Sequence, residues 1–88
     1  MAISSEQLSE AAAILGQSTT VRAAAASIRE RFAPLRALVL DAFDMRGEQP
    51  AMQVTPERAI YLMSTDGHCW TVTAEPQQAS AFVLTQNG

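Results

Sequence analysis

Apolar residues in the first third of the chain recur at the spacing of an α-helix. A first helix is predicted over residues 5–15, because its apolar positions fall on one face. Those positions are Leu8, Ala11, Ala12 and Leu15. Ser4 precedes the segment and Gln7 follows three residues later, which is the spacing of a capping box. Gly16 suits the position just past the end of a helix.

A second apolar stripe predicts a second helix over residues 20–32. Its members are Val21, Ala24, Ala25, Ile28 and Phe32, spaced at i, i+3, i+4, i+7 and i+11. Ser18 or Thr19 is the predicted cap at its start. Pro34 disfavours helical backbone at the residue before it and should end the segment. Two short helices with a brief link are expected to form an antiparallel or angled pair.

The next segment, residues 35–43, is predicted to be a strand. Its continuous apolar run, Leu38 to Leu40, is typical of a strand that is covered on both faces. A continuation of the second helix is the alternative, against which Pro34 argues. Residues 46–57 contain Gly47 and two prolines among polar residues. They predict a long, mobile surface connection, and a lid or a partner-binding arm is the alternative.

Residues 58–74 are the densest β-forming segment and predict a hairpin that turns at Asp66 and Gly67. Two registers compete, and a slip of one residue exchanges the two faces. A two-residue turn pairs Met63 with Trp70 and Tyr61 with Val72. A three-residue loop pairs Leu62 with Trp70 and Ile60 with Val72. The second register is favoured, because it places Ile60, Leu62, Trp70 and Val72 on one apolar face.

After the hairpin, Pro76 suits the first turn of a short final helix reaching about Thr85. A last strand over residues 80–85 is the alternative. The pattern therefore predicts a single α+β domain over residues 1–88. Two N-terminal helices would pack on a three-stranded antiparallel sheet, followed by a short C-terminal helix.

Composition limits the class of protein. The chain has 88 residues, of which 48% are hydrophobic and 17% charged, as in globular domains. No apolar run approaches the roughly 20 residues that span a bilayer, and the first ten residues lack the pattern of a secretion signal. We therefore expect no membrane association and a cytoplasmic location. A small core leaves a thin stability margin, so a homodimer or a protein partner is expected.

The charge of the chain disfavours nucleic-acid binding. The net charge is −3, and all six basic residues are arginines, whereas proteins that bind phosphate backbones usually carry a basic excess. The order of helices and hairpin nevertheless resembles a winged helix, in which Arg22, Arg29 and Arg31 would lie on the recognition helix. We expect no nucleic-acid partner. A nucleic-acid-binding winged helix is the alternative.

Four side chains are candidates for chemistry: Asp41, Asp44, His68 and Cys69. Neighbours on a strand point to opposite faces, so His68 and Cys69 are not expected to chelate one metal, and zinc-site spacings are absent. The structural alternative makes Cys69 a small apolar group and His68 a turn residue. Asp41 and Asp44 bind a metal in one reading and cap a turn in the other. No recognised catalytic motif is present.

The second half of the chain resembles a small family of uncharacterised bacterial domains. The matching positions are Asp41, Asp44, Met45, Pro50, Tyr61, Leu62, His68, Cys69, Thr73, Glu75, Pro76, Ala79, Val83 and Leu84. Those domains resemble companions of nitrogen-fixation gene clusters, which implies an accessory role in a cytoplasmic metalloenzyme pathway. No catalytic residues come with the resemblance. It favours treating the four candidate side chains as one patch.

The sequence thus predicts a non-enzymatic accessory or interaction domain that carries no resident cofactor. The alternative is a protein that handles a metal or cofactor through Asp41, Asp44, His68 and Cys69.

Overall fold

The computed structural model of the protein describes residues 3–65 and 69–86. Over these residues the chain forms two helices, α1 (Ser5–Gln17) and α2 (Val21–Arg31). It also forms the strands β1 (Arg36–Asp41), β2 (Met52–Gln53), β3 (Arg58–Thr65), β4 (Trp70–Thr73) and β5 (Ala81–Gln86). Two 3-10 turns, Ala42–Met45 and Pro76–Gln78, follow β1 and β4. The predicted α+β class and its two N-terminal helices are confirmed.

The start of α1 is the capping box that the sequence predicts. The Gln7 backbone N–H donates to Ser4 Oγ at 3.0 Å, and the Ser4 N–H donates to Gln7 Oε1 at 2.9 Å. The predicted end at Gly16 is wrong. Gly16 lies inside the helix, and the Ser18 N–H closes the last turn on the Ile14 carbonyl at 3.0 Å.

The cap of α2 is Thr20 and not Ser18 or Thr19, because Thr20 Oγ1 accepts from the Ala23 N–H at 3.0 Å. Removing this acceptor by Thr20→Ala is expected to lower the free energy of unfolding by about 1 kcal/mol. Thr19→Ala is the control, and its expected effect is within about 0.5 kcal/mol. Urea denaturation of the two variants measures the difference, and equal losses would contradict this assignment.

The sheet is mixed and runs in the order β1–β5–β3, with β2 and β4 both on the outer edge of β3. β1 is parallel to β5, and the other pairs are antiparallel. The prediction of a three-stranded antiparallel sheet is therefore wrong. The predicted C-terminal helix is also wrong, and the alternative strand is the correct one. β5 is buried from Ala81 to Thr85 on both faces, as the central strand of a sheet requires, whereas a surface helix would bury one stripe.

The predicted strand after α2 exists, but its predicted burial on both faces is wrong. Among the described strands, β1 pairs only with β5 and is therefore an edge strand. Leu38, Val39 and Leu40 are each 36–38% exposed. A continuous apolar run is thus compatible with an edge strand as well as with a central strand, because the pattern alone carries no information about neighbouring strands.

Both predicted hairpin registers are wrong. Thr65 is opposite Trp70 and Met63 is opposite Val72. Residues 66–69 therefore separate the paired ends, and the predicted turn at 66–67, with His68, lies outside the described residues. A register chosen to give β3 a single apolar face fails, because β3 is covered on both faces. Ile60 and Leu62 join the core beneath the helices, whereas Tyr61 and Met63 lie on the other side.

The main core fills the space between the helices and one face of the sheet. Its largest fully buried side chains are Ile3, Leu15, Ile28, Ile60, Leu62, Phe82 and Leu84. The opposite side, here called the open face, has a smaller cluster. It consists of Met45, Ala59, Tyr61 and Val83, with Met63 and Val72 packed against it. Met45 comes from the first 3-10 turn, which therefore folds back over the end of the open face.

Part of the long connection at residues 46–57 belongs to the sheet. β2 pairs Met52 with Ile60, and the Ala51 N–H donates to the Ile60 carbonyl at 2.8 Å. A role of this connection as a lid or a partner-binding arm stays a prediction.

Arg58, the first residue of β3, joins the sheet to the helical layer. Its Nη1 donates to the carbonyls of Leu15 and Ser18 at 2.8 and 2.7 Å, and its Nη2 donates to that of Thr19 at 3.0 Å. The last carbonyls of a helix have no partner within the helix, and a cation there also opposes the helix dipole. One half-buried guanidinium thus closes α1 and holds its link to α2.

Neither α1 nor α2 has the length and apolar content to cross a membrane, and no other helix in the described part of the chain does.

Candidate interaction surface

The two predicted aspartates lie where β1 leaves the sheet. Asp41 is the last residue of β1, and its Oδ1 accepts from the Phe43 N–H at 3.0 Å. It therefore caps the first 3-10 turn, as the structural alternative for this residue describes. Asp44 lies within that turn, and both side chains are exposed.

The strand order separates these aspartates from Cys69. Asp41 is opposite Gln86, which is opposite Arg58 at the start of β3. Cys69 is exposed and directly precedes β4, whose first residue lies at the far end of β3. At about 3.3 Å per residue, the eight residues of β3 put roughly 20 Å between these ends. Asp41 and Cys69 are therefore not brought together, and His68 lies outside the described residues.

No group of three or more His, Cys, Asp or Glu side chains within residues 3–65 and 69–86 is arranged to hold a metal ion.

An arginine and a tryptophan are stacked on the open face. The Arg36 guanidinium carbon lies 5.8 Å from the centre of the Trp70 ring. Arg36 belongs to β1 and Trp70 to β4, and β5 and β3 run between those strands. The two side chains therefore meet above β5 and β3. Ala81 of β5, which is opposite Arg36, has no exposed surface. Trp70 itself is 41% exposed, so one side of the indole stays available to a partner.

A second arginine–aromatic pair lies on the segment whose Met45 packs on the open face. The Arg46 guanidinium carbon is 4.0 Å from the centre of the Phe43 ring, and Phe43 is 63% exposed. Both belong to the segment around the first 3-10 turn. Met45, between them, is buried against the sheet and fixes that segment in place.

Two leucines connect these pairs. Leu38 and Leu40 follow Arg36 at intervals of two residues, so all three side chains lie on the same face of β1. Leu38 is opposite Val83, which belongs to the cluster on the open face. We call the surface formed by Arg36, Leu38, Leu40, Phe43, Arg46 and Trp70 the open-face patch.

A shallow cavity of about 330 Å³ also opens on this face. Its floor is formed by Ala59, Tyr61 and Thr85, which are buried, and its rim includes Ala42 and Glu57. Such a depression beside exposed apolar groups suits the insertion of a side chain from another protein.

Sequence reasoning found the segment that carries Trp70 but placed its side chain on the wrong face. It did not identify Arg36 or Phe43 as surface residues. The sequence offered no signal for this exposure, because residues 36–41 show no alternation of polar and apolar side chains.

A comparison of the chain with protein-family models, with curated proteins and with solved structures found no match in any of the three.

Proposed function

We propose that this domain is an accessory protein-interaction module that binds a partner protein through the open-face patch. The observation that carries the proposal is the pair of exposed aromatic rings, Trp70 and Phe43, each held under an arginine. Trp and Arg are enriched among the residues that contribute most to binding energy at protein interfaces.

The two stacked pairs favour binding for an entropic reason. Ordering a long side chain at an interface costs about 0.5–1.5 kcal/mol. Arg36 and Arg46 are already restrained by their contacts with Trp70 and Phe43 in the unbound protein, which reduces that cost. Covering the patch would also remove the exposed surface of Leu38 from water, which is favourable in proportion to the apolar area buried.

A bacterial nitrogen-fixation pathway is the proposed setting. Its support is the resemblance of the second half of the chain to domains that accompany nitrogen-fixation genes. Among the matching positions, Met45 and Tyr61 lie beneath the patch. The expected partner is therefore a protein of such a pathway.

Site-specific photo-crosslinking tests the proposal. A benzophenone amino acid replaces Trp70 or Phe43 in the protein expressed in a nitrogen-fixing bacterium. The matched control replaces Glu30, which is exposed on α2. Irradiation is expected to give a discrete adduct with another protein from positions 70 and 43 and none from position 30. Equal labelling from all three positions, or no adduct with another protein, would contradict the proposal.

A further inference from the structure

We propose that two copies of this chain pair through the exposed edge of β1, forming a two-fold symmetric dimer with one continuous sheet. The inference goes beyond the partner site above, because it depends on Arg29, Val39 and Asp41, which lie outside the open-face patch, as well as on Leu38 and Leu40, which belong to it. Three observations support it: an edge strand with an uninterrupted apolar centre, apolar exposure on both faces of β1, and complementary charge.

The edge of β1 has few of the features by which sheet edges usually avoid pairing, because its only charged residues, Arg36 and Asp41, lie at its two ends and it contains no proline or bulge. Such features include charged residues or proline within the strand, bulges, and very short strands. β1 is six residues long and has an uninterrupted apolar centre, Leu38 to Leu40. The other edge of the sheet is divided between β2, with two residues, and β4, with four.

The exposure of Val39 favours a neighbouring strand over a partner that covers only the open face. It is opposite Leu84, which belongs to the core beneath the helices, so Val39 faces the helical side. It is nevertheless 37% exposed, while Leu38 and Leu40 are as exposed on the open face. A strand placed alongside β1 would cover both sides at once.

Symmetry restricts the register of such a pair. A two-fold axis perpendicular to the sheet keeps each face continuous, so opposite residues must differ by an even number. With Val39 on the axis, the residue numbers of two opposite residues add up to 78. Asp41 of each copy is therefore opposite Ala37 of the other. The run from Leu38 to Leu40 then lies against its own copy.

This register brings opposite charges together. Arg29 Nε donates to the Ala37 carbonyl at 2.8 Å, so the guanidinium lies beside the position that Asp41 of the second copy would occupy. Asp41 uses Oδ1 for its turn and retains a second carboxylate oxygen. The contact occurs twice in the dimer. A groove of about 470 Å³ lined by Arg22, Arg29 and the three apolar residues of β1 runs along this edge, giving it a basic wall.

Sedimentation equilibrium is the first test. The chain has a mass of 9.5 kDa, and at about 100 μM we expect a mass near twice that value, with dissociation on dilution. Val39→Lys places two ammonium groups at the axis and is expected to weaken the dimer about 100-fold, because like charges across an interface are strongly unfavourable. The control is Ser27→Lys, on an exposed side of α2, which should leave the mass unchanged.

Asp41→Asn tests the charge contact without removing the turn. The asparagine oxygen still accepts from the Phe43 N–H, so the monomer keeps its fold. The dimer is expected to weaken about tenfold, and its dependence on salt concentration should decrease.

Disulfide formation tests the register directly. In a Cys69→Ser background, Val39→Cys should form a disulfide-linked dimer, because directly opposite Cα atoms lie about 4.5–5.5 Å apart. Ser27→Cys should not. A monomer at all concentrations, or a dimer unaffected by Val39→Lys, would overturn the proposal. So would a monomer in which a photo-crosslinker at position 39 captures a different protein. Trp70→Ser should leave the dimer intact, which separates this result from the test of the open-face patch.

Discussion

Replacing Phe82 with alanine is expected to lower the free energy of unfolding by about 3–5 kcal/mol. Phe82 is fully buried in the core beneath the helices. Its ring centre lies 5.9 Å from that of Phe32, which follows α2. The substitution would therefore remove the ring contact between β5 and the end of α2 and leave a cavity in the core. Small domains have about 5–15 kcal/mol of stability in total, so the loss is a large share.

Thermal and urea unfolding measure the effect, and the melting temperature is expected to fall by at least about 12 °C. The chain offers a matched control, since Phe43→Ala is the same substitution at a side chain that is 63% exposed. That variant should lose no more than about 1 kcal/mol. Comparable losses in the two variants would contradict the placement of Phe82 in a central strand.

Substitution of Arg58 by methionine is expected to cost about 2–4 kcal/mol, because it removes charged hydrogen bonds to three carbonyls. Methionine retains much of the aliphatic volume, so the loss reports on the guanidinium. Arg58→Lys should recover only part of the stability, since an ammonium group cannot match the planar fork that reaches Leu15, Ser18 and Thr19 together.

The control for Arg58 is Arg22→Met on the exposed side of α2, studied at a dilute concentration. Its free energy of unfolding should change by no more than about 0.5 kcal/mol. Hydrogen exchange gives a second measurement, because the last turn of α1 should lose protection in Arg58→Met before the rest of the protein does. Uniform loss across the sheet and both helices would contradict a local capping role.

The helical half was predictable because its signals are local. Ser4 and Gln7 satisfy each other within one turn, and the stripe from Val21 to Ile28 is readable from spacing alone. The end of α1 was predicted incorrectly, because Arg58, which closes this helix, lies about 40 positions away in the chain.

The sheet was less predictable because its order depends on pairings between distant segments. The Ala81 to Thr85 run has an apolar pattern that suits either a short helix or a strand, and only its neighbours, β1 and β3, decide between them. The same uncertainty led to the prediction that β1 is covered on both faces, whereas the central strand is β5. It also placed Trp70 on the helical side, since the register was chosen before the second covered face of β3 was known.

The candidate site residues were chosen by residue type, and the strand order separates two of them, Asp41 and Cys69. Asp41 was singled out for its carboxylate and has a structural task at the end of β1. The open-face patch consists instead of common residues whose exposure arises from strand order. Its members could not be recognised before that order was known.

The central position of β5 also affects how this protein is made. Arg36 pairs with Ala81, 45 residues later in the chain (81 − 36 = 45), and β5 is the only described strand that links β1 to β3. During synthesis, α1 and α2 can form contacts as soon as they leave the ribosome, whereas β1 has no partner until Gln86 has emerged. At about 5–20 residues per second, the Leu38–Leu40 run is exposed in the nascent chain for several seconds. Chaperones that bind extended apolar segments would meet the protein in that interval.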